Sequence, residues 1–74
     1  LMKDEEFLKK LGQQLKEIRQ AKGMSQVDVC SRLNMDKTYL SAIENGHQNP
    51  STLTLKQILE AMDVDAAKLI EGLG

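Results

Sequence analysis

Apolar positions recur every three or four residues along this chain, and nowhere do they alternate as a half-buried strand requires. Phe7, Leu8, Leu11, Leu15 and Ile18 form the first stripe. Asp4, Glu5 and Glu6 precede it, a cap and acidic first turn suited to the positive end of a helix dipole. Gly12 interrupts the stripe at a cost of about 1 kcal/mol relative to alanine, which predicts a close helix contact there. Gly23 predicts the end of the helix, because glycine accepts the left-handed residue that closes many helices. Ser25 with Asp28 three residues on reads as a capping box for a second helix, with Val29, Cys30 and Leu33 inward. Asn34 tolerates the left-handed conformation of a tight turn. Asp36 then caps a third helix, with Leu40 and Ile43 inward and Asn45-Gly46 at its close. Beyond the loop His47–Pro50, Ser51 or Thr52 caps a fourth helix carrying Leu55, Ile58, Leu59 and Met62. Asp65 caps a short fifth helix with Leu69, Ile70 and Leu73. The expected fold is all-α, a compact arrangement of five helices.

The stretch from Gln26 to Asn45 is more specific than periodicity alone. Two short helices crossing steeply through a three- or four-residue turn need a small residue where their backbones meet, a turn residue of unusual dihedral, and apolar facing positions. Cys30, Asn34 and the set Val29, Leu33, Met35, Leu40 and Ile43 satisfy all three. An ordinary bundle of short helices needs the apolar residues but not the small residue and turn residue four positions apart. The spacing favours a helix-turn-helix.

Composition narrows the function. Seventy-four residues, 41% hydrophobic and 28% charged, describe one globular domain over 1–74. No run approaches the ~18 apolar residues of a membrane span, and no basic start leads into an apolar core and cleavage site, so a cytoplasmic protein is expected. Leu1 ahead of Met2 reads as a remnant of expression. A single Cys30 and a single His47 allow no internal disulfide, no metal cluster and no evident nucleophile–base pair. Neither an enzyme nor a bound cofactor is expected. The net charge of −1 runs against the basic footprint of a nucleic-acid binder, yet it is unevenly spread. Leu1–Met24 holds six basic and four acidic residues, whereas Ser51–Gly74 holds two and four. The acidic end is expected to face away from a polyanion.

Gly23-Met24-Ser25-Gln26, Tyr39-Leu40-Ser41-Ala42-Ile43-Glu44-Asn45-Gly46 and Asn49-Pro50-Ser51 resemble the phage-repressor and Cro-type helix-turn-helix family of bacterial regulators. The resemblance spans about Leu11–Leu73. Cys30 stands where that family usually has alanine and Asn34 where it usually has glycine, both sterically acceptable. The resemblance implies a repressor-like DNA-binding domain of five helices, commonly a homodimer on a two-fold symmetric operator in double-stranded DNA. Reuse of the same fold as a protein-interaction module, without specific DNA binding, is the alternative.

A recognition helix over 36–45 would lie in the major groove with its leading residues at base edges. That nominates Lys37, Thr38 and Ser41, with Ala42 on the same face by position only. Lysine donates to guanine O6 and N7, and short hydroxyls donate or accept. By the resemblance, Gln26 meets the DNA backbone at the start of the second helix. Asn45, Gly46 and His47 would present an amide side chain and backbone amides to the other flank, or Asn45-Gly46 serves as a cap alone. Tyr39 packs its ring on the motif with its hydroxyl toward a phosphate, or packs only. Arg19 and Glu44 occupy the family's positions for a structural ion pair joining the first and third helices. Leu69, Ile70 and Leu73 are candidates for a dimer surface, or else complete the intrachain core.

Overall fold

The computed structural model describes residues 1–74 as five helices: α1 (Asp4–Ala21), α2 (Gln26–Leu33), α3 (Lys37–Glu44), α4 (Thr52–Ala61) and α5 (Ala66–Leu73), with no strand. None of them is long and apolar enough to cross a membrane. Four helices start on a side chain that takes up a free backbone N–H. Ser25, Asp36, Ser51 and Asp65 accept from the amides of Asp28, Thr38, Thr54 and Ala67 respectively. Of the two candidate caps for α4, Ser51 is the one used. Helix α1 departs from expectation. Its cap position is Lys3, with no side-chain bond. Asp4 already lies in the helix, so it acts with Glu5 and Glu6 through the dipole and not as a cap.

The helix ends follow one pattern. Gly23 at φ +68° lets Met24 N–H reach Arg19 C=O at 3.1 Å and Gly23 N–H reach Gln20 C=O at 3.0 Å. These two bonds define a Schellman close. Gly46 repeats the arrangement after α3, and Asp63, left-handed at φ +58°, repeats it after α4. Asn34 sits at φ 57°, ψ 40° between α2 and α3, the turn residue the corner requires.

The core is drawn from all five helices. Leu11, Leu15 and Ile18 of α1 meet Val29 and Cys30 of α2, Leu40 and Ile43 of α3, Ile58, Leu59 and Ala61 of α4 with Met62 at its end, and Leu69 of α5. Phe7 falls outside this set and stays partly exposed, so the buried stripe of α1 begins at Leu8 and Leu11. Helix α1 packs on α3 and α5, while α2 packs on α3 and α4. Arg32 fastens the second contact by donating from Nη1 to Ala61 C=O at 2.8 Å, at the carbonyl end of α4.

The box at the start of α2 is reciprocal. Asp28 N–H donates to Ser25 Oγ at 3.0 Å, and Ser25 N–H donates to Asp28 Oδ2 at 2.8 Å. The bonds from the Ser25 backbone and side chain hold the Asp28 carboxyl below the ordinary aspartate range. A depressed folded pKa contributes stability that is fully present above the unfolded value and is lost as pH falls through the folded one. Melting of wild type and Asp28→Asn across a pH series should therefore show a gap that is constant above about pH 5 and closes below pH ~4. A gap that persists at the acid end would exclude the carboxylate as its source.

Candidate nucleic-acid interface

Helix α3 is held from one side only. Leu40 and Ile43 are buried in the core, and Glu44 is buried in an ion pair. Lys37 and Thr38 are exposed, while Ser41 and Ala42 are half-buried on the outer side. Lys37 stands at the first helical position, immediately after the capping Asp36, where the helix dipole offers a cation no support. Packing therefore leaves the leading polar edge of α3 uncovered by the chain itself.

The inner anchor is a network around one carboxylate. Glu44 Oε2 accepts from Arg19 Nε at 2.7 Å, and Oε1 accepts from Arg19 Nη2 at 2.9 Å, a two-pronged pair. Arg19 Nη1 donates to Met24 C=O at 2.9 Å, closing the turn between α1 and α2. The bond to Glu44 raises the Arg19 pKa further above its ordinary value, so the guanidinium remains charged. Gln26 adds a third helix by donating from Nε2 to Glu44 Oε1 at 3.1 Å. Because a carboxylate oxygen only accepts, this bond fixes which end of the Gln26 amide faces inward.

Gln26 is half-buried at the start of α2, where the first helical amides have no intrahelical acceptor. Asn45 and His47 are exposed at the far end of α3, and Tyr39 is 37% exposed. The amides expected at that flank do not face outward. Gly46 N–H donates to Ile43 C=O at 3.1 Å and His47 N–H to Ala42 C=O at 2.8 Å. The Schellman close consumes both, leaving side chains as the outward donors there.

Two features of this face escape a reading of local pattern. One is the Gln26–Glu44 bond. The other is Lys9: a Cβ built on Gly46 would lie 2.8 Å from Lys9 Cα and Cγ, so α1 lies directly against the α3–α4 turn. A signal for the second existed. Lys9 precedes Gly12 by three residues, which puts both on one helix face, and a Cβ on Gly12 would fall 2.3 Å from Ile43 O and 2.5 Å from Glu44 O. Cys30 has no part in the face. It is buried, and burial pushes its thiol pKa up, away from reactivity.

A capped helix pair joined by a left-handed turn, with one outer edge free, defines a helix-turn-helix domain. A family model described as helix-turn-helix matches residues 15–69, and the chain belongs to that family. It is similar to the ImmF control region 10 kDa protein of Bacillus phage phi105, with 43% identity over 65 residues, 85% of this chain and 72% of the relative. The fold is similar to the restriction-modification controller protein C.AhdI of Aeromonas hydrophila, with TM-score 0.79 and 34% identity over 84% of this chain and 94% of that one. It is also similar to the controller protein C.Esp1396I, solved as a tetramer in complex with its natural 35-base-pair operator. There the TM-score is 0.83 with 34% identity over 90% of this chain and 88% of that one.

Proposed function

We propose that this chain is a sequence-specific double-stranded DNA-binding regulator of transcription, a single domain acting as a homodimer on a two-fold symmetric operator. The observation that carries the reading is the leading edge of α3, polar, exposed and locked from behind by Leu40, Ile43 and the Glu44 network. Lys37, Thr38 and Ser41 read base edges, with Ala42 alongside. The free amides at the start of α2, with the second hydrogen of Gln26 Nε2, take a phosphate on one flank, Asn45 and His47 take the backbone on the other, and Tyr39 borders the face. Such a protein works in the cytoplasm, where its operator is. Likeness to a controller solved on its operator supports the reading.

The net charge of −1 does not oppose it, because affinity follows local potential and counterion release and not the sum over the chain. The pairing surface needs one correction. Leu69 is 5% exposed and belongs to the intrachain core, and Leu73 is half-buried against it. Ile70, 68% exposed, remains. It borders a groove of about 280 Å³ between α4 and α5, lined by Leu55, Leu59 and Val64 and rimmed by Lys56 and Glu60. In the proposed dimer Ile70 and this groove form the contact, on helices other than the α2–α3 corner.

Gel shift and footprinting with DNA upstream of the chain's own gene test the function. A symmetric footprint is expected, and Lys37→Ala and Thr38→Ala should each weaken it about ten-fold or more, since a lost base contact is worth about 1–3 kcal/mol. Binding indifferent to both changes would favour the protein-interaction module instead.

A further inference from the structure

We infer that Lys9 of α1 is a phosphate-contacting residue that holds the DNA backbone at the α3–α4 turn. The inference rests on the DNA-binding reading above and adds a residue to it.

The far end of a recognition helix is a poor neighbour for phosphate, because a helix C-terminus carries partial negative charge. Here that end has also used its backbone donors. Asn45 N–H goes to Ser41 C=O at 3.0 Å, and the amides of Gly46 and His47 turn inward as described. Between Lys37 and Lys56 the chain contains no lysine or arginine. A permanently cationic side chain at this flank must therefore come from another element. Helix α1 is that element, and it crosses the end of α3 at closest approach. Gly12 abuts the carbonyls of Ile43 and Glu44, and one turn earlier Lys9 lies against Gly46 with its Cα and Cγ. Lys9 is exposed, and the ion pairs of the chain are Arg19–Glu44 and Lys56–Glu60, which leaves its ammonium uncommitted despite Glu5 and Glu6 in the preceding turn. Its backbone is fixed by packing while its head is free to meet solvent or a polyanion. The charge that the α3–α4 turn lacks in its own sequence is thus supplied through space.

A purely structural lysine, placed to offset the carbonyl end of α3, would act on stability and not on counterion release. Operator affinity of Lys9→Gln over a salt series, beside its thermal unfolding, separates the two. The slope of log K against log salt should fall by about 1.8 for a dimer that loses two phosphate contacts. The fall should be equal on operator and unrelated DNA, with sequence preference unchanged. Lys9→Arg should restore the slope, and Lys10→Gln, about 100° further round the same helix, should leave it as in wild type. An unchanged slope for Lys9→Gln, or an equal fall for Lys10→Gln, overturns the contact while wild-type footprinting still upholds the DNA-binding reading. Failure of the wild type to bind the operator overturns both.

Discussion

Gly12→Ala is expected to destabilise the domain by about 3 kcal/mol or more, the upper range for forcing atoms into a close-packed site. Helix propensity alone predicts the reverse, a gain of about 1 kcal/mol. Packing decides the sign. The new methyl would lie 2.3 Å from Ile43 O and 2.5 Å from Glu44 O, both backbone atoms of the helix that α1 supports. No side chain can rotate out of the way, so α1 must lift from α3. A chain of this length has a total stability of about 4–11 kcal/mol, so the change removes much of the margin. Thermal melting should show a fall of at least about 12 °C. A melting temperature at or above wild type would mean that α1 and α3 do not touch as described.

Arg19→Met should cost a similar amount, about 3–5 kcal/mol, by leaving the buried Glu44 carboxylate without its cation. The two side chains are 9% and 3% exposed, so water cannot replace the missing partner. The double change R19M/E44L removes both charges and should recover a large part of the loss, since an apolar pair of similar volume is often as stable as a buried ion pair. Chemical denaturation of the two single variants and the double gives the coupling directly. Additive losses would show that the pair contributes nothing as a pair. The DNA readout should behave differently from stability. The double variant also deprives Gln26 of its acceptor at 3.1 Å, so it should stay weaker on DNA even where its fold is restored.

Much of the fold was legible because its signals are local. Ser25 and Asp28 are three residues apart and satisfy each other, and Asp36, Ser51 and Asp65 each bond an amide two or three positions away. Gly23, Asn34 and Gly46 take the dihedrals their residue types favour. What was not legible depends on which elements meet in space. Gln26 reaches Glu44 across 18 positions, and Lys9 meets Gly46 only because α1 crosses the end of α3. The amides of Gly46 and His47 were expected to face outward, but a Schellman close turns both inward, and no single residue type announces that. Leu69 and Ile70 are equally apolar neighbours, and only the docking of α5 on α1 decides which of them is covered.

Asn34 joins two helices whose packing against the rest of the chain lies on the inward side: Cys30, Leu40 and Ile43 in the core, Glu44 beneath them. The side chains at the exposed positions 37 and 38 take no part in keeping the corner shut. On the proposed reading, mutation at these exposed positions rewrites the address this chain answers to while the architecture stays blind to the change, so the scaffold can diversify its targets far faster than its shape.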